Sequence, residues 1–387
     1  MSATPDPLTS VSSDLQSDPS IDWGAISSYD YVLPPELIAA APLAERDASR
    51  LLVVNRAERS IQHASFRDLP HYLQAGDLLV VNETRVVPAK LKGVRAATGG
   101  KWEGLFLGIE GADRWRLIGH ARGKLKPGEE LHLFPAEIPD SPERLRLILR
   151  EQRREGEWLV EPVAPEGFHP AQSSSDDPWA VVQQLLDHFG TVPLPPYIER
   201  TSSVPEDHER YQTTYAKNPG AIAAPTAGLH FTPEIFEACR ARGVDVAKLT
   251  LHVGIGTFRP VSVERLDDHV MHFESGEVPA STVEAIERTR KRGGRVIAVG
   301  TTAVRTLESV AQSGPLRSWS GETNLFIRPP YQFQVVDALV TNFHLPKSTL
   351  LVLVSALAGR DLILEAYRQA IAERYRFFSY GDAMLII

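Results

Sequence analysis

The chain has a single cysteine, Cys239, in 387 residues, which excludes an intrachain disulfide and any zinc centre built on paired cysteines. Its first 27 residues carry Asp6, Asp14, Asp18 and Asp22 but no lysine or arginine. A secretory or organellar leader needs positive charge, so residues 1–27 are expected to form a disordered acidic tail and the protein to be cytoplasmic. Long apolar runs are also missing. The best of them, STLLVLVSALAG at 348–359, is interrupted by Ser355 and Gly359 and falls short of a membrane span. Nor is there a surplus of positive charge: the formal net charge of −8 argues against coating nucleic acid by bulk electrostatics. A local basic face would still serve for one folded RNA. With 43% hydrophobic and 23% charged residues, the composition is that of a globular chain long enough for one large domain or two ordinary ones.

The texture along the chain changes twice. Arg50–Arg56 (RLLVVNR) is a β-branched run suited to a strand, and Asp68–Leu91 reads as a short helix, a turn at Gly76-Asp77 and a buried strand. From Val86 to Pro162 six short candidate strands follow, in VVPAKLKGVRA, KWEGLFLGI, RWRLIGHA, EELHLF, RLRLILRE and EWLVEPV, with Gly-rich turns between them. That spacing predicts a small closed antiparallel barrel, inserted over residues 86–165. After a Pro- and Ser-rich linker, PWAVVQQLLDHFG is an amphipathic helix closed by Gly190, and the rest alternates strands and helices. The expected architecture is an α/β (α+β) main domain with a mixed sheet, built from residues 28–85 and 166–387, carrying a six-stranded β-barrel insertion.

The chemistry-bearing stretches lie in the α/β part. AAPTAGLHFTPEIF places Thr226, Gly228 and His230 just before a helix that Thr232 caps and Pro233 opens, where free N–H groups can hold an anion. A tight structural turn is the alternative. LTLHVGIGTFRPV sets His252 between a strand and a glycine turn, as a general base or as a core histidine. His269, His272 and Glu274 crowd into DDHVMHFE, but the spacing matches no metal motif, so no metal is expected. GTTAVRTLES is a helix start in which Gly300, Thr301 and Thr302 can receive a carboxylate or phosphate, with Arg305 one turn in. TNFHLPKS adds Asn342 and His344. Two basic groups could meet RNA phosphates: Arg290, Lys291 and Arg292 at a helix end, and Lys90 and Lys92 at the start of the barrel. For the first group, dipole complementation is the plainer reading.

Taken in order, AERDASRLLVVNR, GDLLVVNETRVVPAKLKG, AAPTAGLHFT, LTLHVGIGTFRPV, GTTAVRTLES, VDALVTNFHLPKSTLLVLVSALAG and YRFFSYGDAMLI resemble the S-adenosylmethionine:tRNA ribosyltransferase-isomerase family of queuosine biosynthesis, over roughly Tyr29 to the C-terminus. Glu83 stands where that family usually has Asp. The resemblance implies that S-adenosylmethionine is consumed as a ribosyl donor, with no resident cofactor and no metal. The implied acceptor is a 7-aminomethyl-7-deazaguanine in a tRNA anticodon, and the products are epoxyqueuosine-tRNA, adenine and methionine. With it, His230, His252 and His344 become the acid–base candidates. Thr226, Gly228, Thr301, Thr302, Arg305 and Asn342 become the substrate-binding set, and Lys90, Lys92, Arg290, Lys291 and Arg292 the tRNA contacts. The expected form is a monomer without membrane attachment. Two other classes compete: an RNA-binding protein without transferase activity, and an S-adenosylmethionine-dependent RNA methyltransferase. The lack of a glycine-rich dinucleotide fingerprint counts against the second.

Overall fold

A computed structural model describes residues 21–387 apart from 112, 139–140, 169–177, 196, 199–204, 255 and 257–260. The acidic segment 1–20 lies outside the described residues. Residues 21–27 are packed: Ala25 bridges Arg265, and Ile26 joins the core.

Val- and Leu-rich runs that must be buried on both faces form the centre of a nine-stranded mixed sheet. In spatial order its strands are Trp319–Thr323, Glu274–Val278, Asp245–Leu251, Leu78–Asn82, Val296–Val299, Ala338–Asn342, Ala383–Ile386, Arg50–Asn55 and Ser60–Ser65. The third to sixth run parallel, so their C-terminal ends share one edge. Alternation along Leu78–Asn82 splits the core into two layers. Leu78 and Val80 meet Val283, Val304, Val352 and Ile363 from the helices Ala280–Lys291, Thr301–Gln312, Thr349–Ala358 and Arg360–Ala372. Leu79 and Val81 meet Phe66, Phe231, Ile235 and Phe236 on the opposite face, which the helix Pro233–Ala241 covers. The segment LLVLVSALA is thus a helix, capped by Ser348, whose Oγ accepts from the Leu351 N–H at 3.2 Å.

Each of the six short candidate strands is a strand: Lys90–Arg95, Lys101–Glu110, Arg114–Ala121, Glu130–Leu133, Leu145–Gln152 and Glu157–Val163. They close into an antiparallel barrel because Lys90–Arg95 pairs with both Lys101–Glu110 and Glu130–Leu133. Trp102, Phe106, Trp115 and Trp158 fill it together with leucines. The helix Pro178–Phe189, in the segment read from sequence as main domain, packs Val182, Leu185, Leu186 and Phe189 into this same barrel core.

That helix returns to the barrel through Gly190, which pairs with Leu91. A Cβ at Gly190 would lie 1.8 Å from the Pro88 carbonyl oxygen and 2.7 Å from that of Leu186, both main-chain atoms. Relief requires moving backbone. Gly190→Ala is therefore expected to cost about 1–3 kcal/mol, the usual price of overpacking, read as a lower urea midpoint at unchanged slope. A loss below about 0.5 kcal/mol would show that the helix–barrel junction yields easily.

Candidate active site

The shared C-terminal edge of the parallel strands is where an α/β sheet leaves backbone ends and side chains open for chemistry. Its organising residue is Asn82, fully buried at the end of the central strand. Its Oδ1 accepts from the N–H groups of Leu251 (3.0 Å) and Thr84 (3.1 Å). Its Nδ2 donates to the Leu251 carbonyl (3.0 Å) and to Thr302 Oγ1 (3.2 Å). All four hydrogen-bonding positions of the amide are used.

This brings His252 and the Thr301-Thr302 helix start together. His252 follows Leu251 and is half-buried, with Nδ1 at 2.8 Å from Thr84 Oγ1. Gly220 backs its ring: a Cβ there would sit 2.8 Å from Nδ1, and the glycine has φ of 146°. Among the described residues Nε2 has no hydrogen-bond partner. Burial holds the His252 pKa below the ordinary histidine value, so the ring is neutral at pH 7. Beside it, Glu83 pairs with Lys248 (3.0 Å) and accepts from Asn218 (3.4 Å).

His230 ends the short 3₁₀ helix Thr226–His230 on the other face of the sheet, in the layer of Phe66, whose ring centroid is 5.0 Å away. Asn342 Nδ2 donates to the Phe378 carbonyl (3.1 Å) and reaches His230 Nε2 at 3.3 Å. An amide NH₂ can only donate, so Nε2 is the acceptor and Nδ1–H donates to Ser49 Oγ at 2.8 Å. Both ring nitrogens are thus engaged. Burial pushes the His230 pKa down to about 4, against a smaller upward pull from Asp382. Gly228 serves Tyr215: a Cβ would lie 2.1 Å from the Tyr215 hydroxyl oxygen, so the missing side chain is filled from within the fold. Gly300 adjoins the same turn, since a Cβ on it would lie 3.7 Å from Ala227 Cβ.

The other candidates fall elsewhere. His344 bonds Thr341 Oγ1 (2.9 Å), and Thr341 alternates with Asn342 along its strand, so the ring sits on the face opposite His230. The ring is buried, with a pKa lowered to about 3, and the main-chain N–H of His344 donates to the Tyr367 hydroxyl. Arg305 is also buried, donating from Nη1 to Glu274 Oε2 and from Nε to the Leu325 carbonyl. Glu274 Oε1 in turn accepts from Gly254 N–H at 2.9 Å, so this ion pair anchors the turn behind His252. His269 packs on Phe326, and among the described residues no three His, Cys, Asp or Glu side chains group as metal ligands.

Arg290 and Arg292 lie at the far edge of the sheet, where the parallel strands begin. Arg290 donates to the Gln334 and Val335 carbonyls, Arg292 pairs with Asp245 (2.8 Å), and Lys291 stands 4.0 Å from Glu287. Lys90 and Lys92 project outward from the first barrel strand, exposed, with Lys92 in register with Glu103.

The queuosine biosynthesis protein family matches residues 26–386. The chain belongs to that family. A protein of Symbiobacterium thermophilum named S-adenosylmethionine:tRNA ribosyltransferase-isomerase is 50% identical, the match covering 94% of this chain and 99% of the relative. One of the same name from Moorella thermoacetica is 48% identical over 94% and 99%. A crystal structure of an S-adenosylmethionine tRNA ribosyltransferase from Thermotoga maritima covers 93% of this chain and 100% of its own, at 37% identity and a TM-score of 0.52. Among the described residues no helix is long and apolar enough to cross a membrane.

In this family member the motif order carried the resemblance, while the residues that build the site came from neighbouring letters. Asn82 and Thr84 stand inside NETRVV, and Ser49 inside AERDASR, yet none has a periodicity or charge that marks it. Only their hydrogen bonds do.

Two outcomes follow from the buried groups. His230 and His344 bind protons less readily folded than unfolded, where the value is about 6.5. Below pH 6.5 the unfolded chain takes up protons that the fold refuses, so stability falls as pH drops toward 4, by about 1.4 kcal/mol per unit per histidine. Urea titrations of His344→Gln should show a shallower fall between pH 6.5 and 4 than the parent; parallel curves would contradict it. Arg305→Met should cost about 3–5 kcal/mol by stranding a buried carboxylate, with Glu274→Gln as a second change recovering most of the loss.

Proposed function

We propose that the chain transfers and isomerises the ribosyl moiety of S-adenosylmethionine onto 7-aminomethyl-7-deazaguanine in a tRNA anticodon, leaving epoxyqueuosine-tRNA, adenine and methionine. The names of relatives that match nearly end to end support the reaction class. The observation that carries the site is His252: neutral, held through Nδ1 by Thr84, with Nε2 unpartnered among the described residues, and linked to a helix start through Thr84 and Asn82. S-adenosylmethionine is consumed as donor, so no resident cofactor or metal enters the scheme, and the protein works as a cytoplasmic monomer.

The sulfonium acidifies the neighbouring C5′ hydrogens, and a neutral imidazole is the natural base to remove one. With Nδ1–H donating to Thr84, whose hydroxyl turns toward the Asn218 carbonyl at 3.5 Å, the lone pair sits on Nε2. Thr84 therefore sets the tautomer. Thr226 and the Thr301-Thr302 helix start hold polar edges of the donor by their N–H groups and hydroxyls. His230, with both nitrogens engaged, positions Asn342 and Ser49 rather than moving a proton. Arg305 positions the turn after His252 through Glu274. Lys90 and Lys92 meet tRNA phosphates, which predicts affinity that falls with salt.

His252→Ala is expected to lower adenine release by about 10²–10⁴-fold, while S-adenosylmethionine binding by equilibrium dialysis is retained. Turnover within about threefold of the parent would remove His252 from the base role. Adenine must appear together with a ribosyl-derived mass gain on the nucleoside. S-adenosylhomocysteine as product would instead make the protein a methyltransferase, and tRNA binding without either product a binding protein.

A further inference from the structure

Beside His230 lies a second feature that the acid–base reading leaves unused. A narrow pocket is lined by Glu45, Arg46, Arg210, Ser49, His230 and Gly381, among others. Its two arginines are both half-buried, and among the described residues their guanidinium groups hydrogen-bond main-chain oxygens. Arg46 donates to the carbonyls of Leu229 (3.3 Å) and Glu209 (2.8 Å). Arg210 donates to the carbonyls of Ala44 (2.9 Å) and Leu43. Arg210 Nε is buried with no hydrogen-bond partner among the described residues. The nearby acids are occupied: Glu45 and Asp47 by Arg67, and Asp382 by Arg50. Glu45 lines the pocket but is held by Arg67, and the Glu209 charge favours the charged form of Arg46; among the described residues neither arginine makes an ion pair of its own.

We infer that Arg46 and Arg210 form the subsite for the amino-acid end of the donor, pairing its α-carboxylate while the main-chain carbonyls of Leu43 and Leu229 in the lining receive its α-ammonium. The inference rests on the reading that S-adenosylmethionine is the donor. Guanidinium forks match a carboxylate well. What separates this ligand from an RNA phosphate is the crowd of acceptors: each carbonyl keeps a second lone pair. Those lone pairs favour a zwitterion and repel a phosphodiester, which brings no donor. The position agrees, because the pocket adjoins His230, whose turn abuts Gly300 and the Thr301-Thr302 helix start. Arg305, the arginine that sequence nominated for this carboxylate, already has Glu274.

The test is calorimetric binding to the full chain of two ligands, S-adenosylmethionine and its decarboxylated analogue, which keeps the sulfonium and the amine. The parent protein should prefer S-adenosylmethionine. Arg46→Gln and Arg210→Gln should each weaken it by roughly tenfold to a hundredfold while leaving the analogue unchanged. Arg46→Lys, which keeps the charge, should retain part of the preference. Equal loss of both ligands would reduce the arginines to ties for the 43–46 loop and overturn the subsite. Unchanged S-adenosylmethionine binding with weakened tRNA binding would replace the carboxylate by a phosphate. A parent protein that binds S-adenosylmethionine without preference over the analogue overturns the subsite alone. One that binds neither overturns the donor reading itself.

Discussion

The side-chain amide of Asn82 is the constraint on which the rest of the site depends. Pairing with Leu78–Asn82 ends at Leu249 opposite Asn82, and beyond that point Thr250, Leu251 and His252 are held by a ladder on one side only, that of Glu274–Val278. The amide substitutes for the missing rung, binding both the N–H and the carbonyl of Leu251. In doing so it fixes where His252 emerges. The same group ties down the Thr302 hydroxyl and the Thr84 N–H, so the helix start and the exit toward the barrel share one anchor. A fully satisfied buried amide rigidifies its surroundings, whereas one left partly unpaired would be a liability of the same size. Precision at this edge thus comes from one short polar side chain rather than from packing alone.

Electrostatically the site is arranged to keep imidazole neutral. Burial lowers the pKa of His230, His252 and His344 alike, and the upward pull of Asp382 on His230 is too weak to reverse it. Positive charge is placed instead on arginines at defined distances from carbonyls or acids. For a donor that carries a sulfonium this division is sensible. A protonated histidine beside the reacting carbon would repel the donor and could not accept its proton, while guanidinium charge at the far end of the ligand has a carboxylate to meet.

Much of the fold was legible because it rests on periodicity. The six barrel strands, the buried strand after Gly76-Asp77 and the helix opened by Thr232-Pro233 all follow from apolar spacing and turn chemistry, and each is present. LLVLVSALA was ambiguous for a physical reason: a segment apolar on every side has no period to distinguish strand from helix. The family was legible from motif order. Site roles were less so, since they depend on partners distant in sequence. His230 and His344 look equivalent as letters, yet strand alternation between Thr341 and Asn342 sends them to opposite layers of the sheet. Gly228 looked like room for a ligand, and Tyr215 occupies it.

The arginines make the same point most sharply. Sequence ranks them by company: Arg305 gains weight from the Gly-Thr-Thr turn before it, and Arg290 and Arg292 from each other. Structure ranks them by what their charge already holds. Arg305 is paired with Glu274 and Arg292 with Asp245, while Arg290 donates to the Gln334 and Val335 carbonyls at the sheet edge where the parallel strands begin. Arg46 lies in AERDASR and Arg210 in a stretch without a motif, neither beside a turn that marks it, and the guanidinium hydrogen bonds of both go to carbonyl oxygens, which orient a guanidinium without cancelling its charge. A cation held in place but not neutralised keeps most of its attraction for an incoming anion, and a salt-bridged one must first give up a partner. Availability of charge, more than its presence, therefore selects the arginines that can bind.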